Sequence, residues 1–248
     1  MTEHITTRRL DTRPVAGDST RDEFARITTP QKPSERLAVL IAGFLVAVGM
    51  LALFGVLAED VATRQAIVLD AQANSALHHY ANSNLDTAMN TASLVGSAYV
   101  LVPLVLLVVI ALIVTRRKRT ATFLAVAAVG GALLNEVLKQ SFARARPDLP
   151  WATKLTTYSF PSGHSMESLV CYLALALVVW RVFERRWGAL AVVLASLLVL
   201  TIGISRIYLG AHYFSDVVGG YAAGTFWVSG AATATAGWRR FPQWRSRG

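Results

Sequence analysis

Six apolar runs, each long enough to cross a lipid bilayer, constrain the fold of this chain more than any other feature. A membrane-spanning helix needs about 20 mostly apolar residues. Only 16% of the 248 residues are charged, against about 25% in a typical soluble domain. Because the bilayer core offers no water to backbone groups, such runs fold as helices, and we predict an all-α bundle with six transmembrane helices. The runs cover residues 37–57, 93–114, 121–138, 165–182, 188–207 and 217–236.

Basic residues are distributed unevenly around these runs. If the six spans alternate in direction, 18 of the 24 Lys and Arg residues fall on one side of the membrane, with clusters at 1–36, 116–119 and 239–248. An excess of Lys and Arg is typical of cytoplasmic loops. We therefore expect a multi-pass protein of the cell membrane with both termini in the cytoplasm. The net charge of +9 then reflects topology, and no nucleic-acid partner is expected.

The chain divides into three predicted parts. Residues 1–36 form a polar, disordered cytoplasmic tail, residues 37–238 the membrane domain, and residues 239–248 a basic cytoplasmic tail. The long outer connection, 58–92, contains apolar residues at spacings of three and four, which is typical of a short amphipathic helix on the outer surface. That helix either frames the entrance to a site or serves as a spacer. Its predicted apolar face consists of Ala66, Leu69, Ala73, Leu77 and Tyr80.

Three short polar stretches stand at the predicted outer ends of the apolar runs, although they are far apart in sequence. In the first, Lys139 and Arg146 are seven residues apart, which is about two turns of a helix. Both side chains would then point the same way, and Pro147 would end the helix. Together with the other two stretches, this pair favours an anion site over two basic side chains that only reach for the headgroups.

The second stretch, Ser162, Gly163 and His164, directly precedes the fourth apolar run. The start of a helix offers free N–H groups and the positive end of the helix dipole, which together bind phosphate. Gly163 lets the backbone approach an anion closely, and the hydroxyl of Ser162 adds a donor. His164 would stand beside the anion as a candidate general acid, because an imidazole titrates near neutral pH.

The third stretch contains Arg206 at the end of the fifth run and His212 and Asp216 around the start of the sixth. His212 and Asp216 are four residues apart and would share one face of a helix. A carboxylate bound to one imidazole nitrogen fixes the tautomer and leaves the other nitrogen free to attack. The three stretches together supply the cations, imidazoles and carboxylate needed to hold a phosphate and transfer it.

These stretches resemble the signature of the type-2 phosphatidic acid phosphatase family, also called the lipid phosphate phosphatase superfamily. Its pattern is Lys, six residues, Arg-Pro; then Pro-Ser-Gly-His; then Ser-Arg, five residues, His, three residues, Asp, and this chain matches every position. The resemblance covers about residues 37–236. It implies an integral membrane phosphatase whose partners are membrane lipids and a lipid phosphate substrate at the outer leaflet. The implied substrates are isoprenyl diphosphates such as undecaprenyl diphosphate, phosphatidic acid and phosphatidylglycerophosphate.

The resemblance also implies a role for each motif residue. His212 would attack phosphorus and form a phosphohistidine, Asp216 would orient His212, and His164 would protonate the leaving group. No cofactor is expected, because positioned cations would replace the magnesium that many phosphotransferases use, and the sequence contains no metal-binding motif. The phosphate oxygens would be bound by Lys139, Arg146, Ser162, Gly163 and Arg206.

Two acidic residues within apolar runs are further candidates for the site. An ionisable side chain is costly inside a membrane segment, so its presence there suggests a function. Glu136 lies three residues before Lys139 and either modulates the site or pairs with that lysine. Glu167 lies three residues after His164 and either tunes that histidine, contacts a headgroup or makes a structural pair.

Two other functions remain open at this point. Vanadate-dependent haloperoxidases resemble this family in their site, although six spans and the lack of a large soluble body argue against that class. A non-catalytic protein that binds lipid headgroups would keep the anion site but would not need both His164 and His212.

Overall fold

The computed structural model describes residues 33–63, 67–152 and 154–237, which form eight α-helices and no strand, in agreement with the predicted all-α fold. The chain divides into two compact units, 1–39 and 40–248, and the first contributes only the start of α1 to the described residues. The predicted tails lie outside these residues, apart from positions 33–36, with which α1 begins. The helices are α1 (Pro33–Ala62), α2 (Ile67–His78), α3 (Ser83–Val95), α4 (Ala98–Val114), α5 (Lys118–Phe142), α6 (Gly163–Val182), α7 (Arg185–Tyr208) and α8 (Phe214–Gly237).

Several of these helices can cross a membrane. By length and composition α1 from Ile41 onward, α5, α6 and α7 are candidate spans, and α3 with α4 adds a fifth if the pair, bent by 43°, counts as one. The protein is therefore a multi-pass membrane protein, and five predicted apolar runs coincide with these helices. The sixth run forms α8, so the count of six spans stays a prediction.

α8 is not among the candidate spans, and its first half lies inside the bundle. Every residue from 215 to 228 is buried or half-buried, and the helix packs against α5 and α6. A Cβ added at Gly220 would lie 2.8 Å from the carbonyl oxygen of Ser162, and one at Gly224 would lie 3.1 Å from that of Met166. Small residues allow such close backbone approach. The approach brings the first turn of α8 to the start of α6, where the second and third stretches meet.

The second apolar run does not form one straight helix. The chain breaks at Gly96, where an added Cβ would lie 2.4 Å from a side-chain atom of Ile202, so α7 requires a glycine at this point. α3 then packs along α7. The hydroxyl of Tyr208 donates to Asp86 of α3 at 2.6 Å, which ties this unpredicted helix to the end of α7 that carries the site.

The predicted helix on the outer connection is present as α2, but its predicted apolar face is not the buried one. Leu69 is 62% exposed and Tyr80 is 70% exposed, whereas Asp70 and Asn74 are fully buried. The helix contacts α7 and α8 through this polar face. The reason is a set of hydrogen bonds to the chain around His212, which an analysis of apolar spacing cannot detect.

Candidate active site

The ends of four helices meet at the site. Lys139 lies in the last turn of α5, Gly163 begins α6, Arg206 lies in the last turn of α7, and Asp216 lies in the first turn of α8. His212 occupies the short turn between α7 and α8. All three stretches identified from the sequence therefore lie at one end of the bundle.

The expected helix that would carry both Lys139 and Arg146 is wrong. α5 ends at Phe142, and Ala143 adopts a left-handed conformation with φ of 44°. The chain therefore reverses before Arg146, whose side chain returns to the site from a loop. Arg146 is fixed there by hydrogen bonds to the carbonyls of Thr157 and Ala211, at 2.7 and 2.6 Å.

The buried ring of His212 has a different partner on each side. Its Nδ1 lies 3.4 Å from a carboxylate oxygen of Asp216, and its Nε2 lies 3.1 Å from a guanidinium nitrogen of Arg146. A guanidinium can only donate a hydrogen bond, so Nε2 accepts and the ring proton resides on Nδ1, facing the carboxylate. Burial lowers the pKa of His212 to about 4, although Asp216 opposes the shift. The ring is therefore neutral near pH 7.

Asp216 is held by donors on both carboxylate oxygens. Oδ2 accepts the hydroxyl of Ser159 and the backbone N–H of Tyr213, in addition to facing His212. Oδ1 accepts a hydrogen bond from Arg144 at 2.5 Å. With donors on every side, the carboxylate is stabilised in its ionised form.

Arg144, Asp70, Ser159 and Asn74 are site residues that the sequence analysis missed. Arg144 bonds both Asp70 and Asp216. Although burial opposes its charge, these two carboxylates raise the pKa of Arg144 above its usual value. The only sequence signal for Arg144 is its place within the first basic stretch, and the only signal for Asp70 and Asn74 is their spacing of four on one helix.

The start of α6 is the segment for which the sequence predicts an anion cradle. Ser162 caps the helix, and its Oγ accepts a hydrogen bond from the hydroxyl of Ser165 at 3.0 Å. Its backbone N–H donates to the carbonyl of Asp216 at 2.9 Å, which fixes the cradle to the His212–Asp216 turn. A Cβ added at Gly163 would lie 3.0 Å from Asn135 and 3.6 Å from Lys139, so a glycine keeps the cradle open.

The other predicted cations, Lys139 and Arg206, lie at the same end of the bundle as this cradle. Lys139 donates to the carbonyl of Tyr158 at 2.8 Å, and Arg206 donates to the hydroxyl of Ser93. The Nε of Arg206 is buried with no hydrogen-bond partner among the described residues. Electrostatic interactions connect His164 with Arg206, His212, Arg146 and Lys139. Several cations and a donor without a partner, gathered at one end of the bundle, are the groups that an anion site requires.

The two acidic candidates occupy different environments. Glu136 accepts a hydrogen bond from Gln140 at 2.7 Å rather than from Lys139. Glu167 accepts one from Asn135 at 3.0 Å and lines an apolar cavity of about 450 Å³ between α4, α5 and α6. The described residues contain no group of three or more His, Cys, Asp or Glu that could hold a metal ion.

Several known proteins are similar to this chain. Residues 119–240 match the model of the PAP2 superfamily. Phosphatidylglycerophosphatase B of Bacillus subtilis (strain 168) is 31% identical over 142 residues, which cover 56% of this chain and 70% of that protein. The undecaprenyl-diphosphatase of Sulfolobus acidocaldarius is 29% identical over 153 residues, covering 59% and 68%. A lipid A 1-phosphatase of Rhizobium johnstonii is 36% identical over 107 residues, covering 39% and 40%.

The fold agrees with a solved structure of the same kind. The crystal structure of the transmembrane PAP2 type phosphatidylglycerolphosphate phosphatase from Bacillus subtilis matches with a TM-score of 0.74 and 25% identity, over 79% of this chain and 98% of that chain. The family expected from the three motifs is thus confirmed by sequence and by fold. The chain belongs to the PAP2 superfamily and is a membrane lipid phosphatase of that type.

Proposed function

We propose that the protein hydrolyses a lipid phosphate monoester or diphosphate at the outer leaflet through a phosphohistidine on His212. The observation that carries this proposal is the two-sided environment of the His212 ring, with Nδ1 facing Asp216 and Nε2 facing the guanidinium of Arg146. A neutral imidazole held in this way directs its free electron pair at the place where a phosphate would bind. The candidate lipids are isoprenyl diphosphates, phosphatidic acid and phosphatidylglycerophosphate, and similar proteins are named for two of these classes.

Phosphate binding would use the groups that surround the cradle. The N-terminus of α6 and the hydroxyl of Ser162 would donate to two oxygens, while Lys139, Arg146 and Arg206 would neutralise the charge. Arg146 would exchange its contact with Nε2 of His212 for one with a phosphate oxygen. The cations would then stabilise the charge that spreads over the oxygens in the transition state.

The reaction would proceed in two displacements. In the first, the Nε2 electron pair of His212 forms a bond to phosphorus while the bond to the leaving oxygen breaks, and His164 gives that oxygen a proton. In the second, water attacks phosphorus, His164 takes a proton from the water, and the P–N bond breaks. Phosphate and neutral His212 result, so atoms and charges balance. Asp216 compensates the positive charge on the phosphorylated imidazole between the two steps.

The same proposal includes an orientation of the protein in the membrane. The distribution of Lys and Arg supports cytoplasmic termini, and the site would then face the outer side. A green fluorescent protein fused to the C-terminus should fluoresce in this orientation, because that protein matures in the cytoplasm. A dark but stably produced fusion would contradict the orientation and would leave the chemistry untouched.

The activity itself can be tested with purified protein in detergent. Phosphate release would be measured against a panel of lipid monophosphates and diphosphates in excess EDTA, with His212→Ala as the matched inactive variant. We expect release that resists EDTA and is abolished in the variant, and the panel would rank the substrates. Release that survives in His212→Ala would refute the role of that residue. The absence of release from every lipid would favour a headgroup-binding protein instead.

A further inference from the structure

We propose that Arg144 and Asp70 are positioning residues that hold the His212–Asp216 pair in its reactive geometry, so that helix α2 forms part of the working structure of the site. This inference rests on the proposed phosphatase chemistry. It concerns Asp70, which lies outside the three stretches, and Arg144, which lies within the first stretch but at none of the positions that its motif specifies.

Arg144 fixes the rotation of the Asp216 carboxylate. Its bond to Oδ1 at 2.5 Å is the only hydrogen bond that this oxygen makes within the described part of the chain, while Oδ2 is left for His212, Ser159 and Tyr213. The backbone of Arg144 contributes as well, since its carbonyl accepts the N–H of Ser159 at 2.8 Å. Without Arg144, the carboxylate would lose the contact that keeps Oδ2 directed at the imidazole.

Asp70 fixes Arg144 and the first turn of α8 together. Its Oδ2 accepts from Arg144 and from the hydroxyl of Ser215, each at 2.7 Å. Its Oδ1 accepts the backbone N–H of Ser215 at 2.8 Å. Asp70 therefore supplies, from another helix, the acceptor that a free N–H group at a helix start requires. Ser215 directly precedes Asp216, so this contact fixes the backbone of Asp216.

α2 also holds the other end of the same turn. Asn74 lies one helical turn after Asp70 and donates to the carbonyls of His212 and Ile207, at 3.1 and 2.9 Å. One face of α2 thus bonds to the backbone of Ile207, His212 and Ser215, which lie before and within the reactive pair. A displacement of reacting groups by about 1 Å lowers the rate roughly 10²-fold, so this contact matters for turnover.

Asp70 contributes charge in addition to position. Arg144, with a side chain only 12% exposed, stands between two fully buried carboxylates. The three groups carry a net charge of −1, which remains available to compensate the cationic imidazole formed when His212 takes the phosphoryl group. If Asp70 were replaced by a neutral residue, the positive charge of Arg144 would cancel the negative charge of Asp216. No net negative charge would then remain to compensate the cationic intermediate on His212.

The test compares Arg144→Gln, Arg144→Lys and Asp70→Asn with wild type and His212→Asn. A matched control is Tyr208→Phe, which removes the hydrogen bond between α3 and α7 at the same end of the bundle without contacting Asp216. Turnover of a lipid phosphate is measured together with inhibition by inorganic phosphate, the tetrahedral product, which reports binding of a phosphate anion to the cradle. The isosteric Asp70→Asn variant covers the case in which Arg144→Gln does not fold.

We expect Arg144→Gln and Asp70→Asn to lower kcat by about 10²-fold, while KM and the inhibition constant of inorganic phosphate stay within about threefold of wild type. Arg144→Lys should retain intermediate turnover because it keeps the charge but loses the planar fork. A double variant that combines Arg144→Gln with Asp70→Asn should lose no more kcat than the worse single variant, because the two residues act as one unit. Tyr208→Phe should keep wild-type kcat.

Two results would overturn the inference. One is wild-type kcat in Arg144→Gln or Asp70→Asn, and the other is a loss of inorganic phosphate binding in proportion to the loss of kcat, which indicates general disruption. An inactive wild type would instead refute the proposed phosphatase function and this inference with it. Activity in wild type, its absence in His212→Asn and full activity in Asp70→Asn would refute the positioning role alone.

Discussion

The Nε2 atom of His212 lies 3.1 Å from a guanidinium nitrogen of Arg146. Because a guanidinium only donates, the electron pair proposed to attack phosphorus is occupied, in the free enzyme, by an arginine of the phosphate site. A bound phosphate would draw that donor onto an oxygen and release the pair. The same arginine thus connects anion binding with exposure of the nucleophile.

Replacing Arg146 should therefore impair both binding and turnover. We expect Arg146→Gln to lower kcat/KM by about 10³-fold, because loss of one donor to a developing oxyanion already costs about 10²–10³. Arg146→Lys should lose less, since it keeps the charge but not the planar fork. Steady-state phosphate release from one lipid checks both values. Equal losses in the two variants would show that geometry, and not charge, dominates.

His212 should titrate far below a free histidine. Burial lowers its pKa to about 4 from the usual 6.5. The unfolded chain therefore binds a proton between pH 6.5 and 4 that the folded protein does not bind, so stability falls as the pH is lowered through this range. Carbon-13 NMR of labelled histidine in detergent, with the signal identified by its loss in His212→Asn, should give a midpoint near 4. A midpoint near 6.5 would contradict the buried, neutral ring.

The role of His164 can be tested by comparing substrates whose leaving groups differ in their need for a proton. An alkoxide must be protonated as it departs, whereas p-nitrophenolate leaves without a proton. His164→Ala should therefore lower kcat/KM, which reports the first displacement, by about 10³-fold for a lipid phosphate, within the range for general acids, and far less for p-nitrophenyl phosphate. His212→Ala should abolish both reactions. A similar loss of activity toward both substrates in His164→Ala would rule out proton donation as the main role of His164.

The contact of α8 with α6 predicts an effect that depends on position. In Gly220→Ala the new methyl group would lie 2.8 Å from the carbonyl of Ser162, and such overpacking costs about 1–3 kcal/mol. The first turn of α8 and the cradle would separate, so melting temperature and activity should both fall. Gly230→Ala on the same helix meets nothing within 4 Å and should preserve both. A fully active Gly220→Ala would show that this approach does not position the site.

The sequence was informative where chemistry follows from local spacing. Helix α6 and its start next to Ser162 could be predicted, because an apolar run is a local signal. The buried contacts of Asp70 could not, since its partners lie 74 and 145 residues away along the chain. The reversal of the chain direction after Phe142 was also missed. Alanine rarely adopts the left-handed conformation that Ala143 has here, so its presence gave no local signal of a turn. Residues that reach the site through long-range polar contacts thus cannot be identified from the periodicity of apolar residues.

The central claim is that His212 carries the phosphoryl group between the two displacements. Its most direct test is a rapid quench into alkali with substrate labelled in the phosphate, followed by mapping of the labelled peptide. We predict a label that is stable in alkali and labile in acid, on His212 and absent from His212→Asn. Full turnover with no trapped label in wild type, or a label on another residue, would contradict the proposed mechanism.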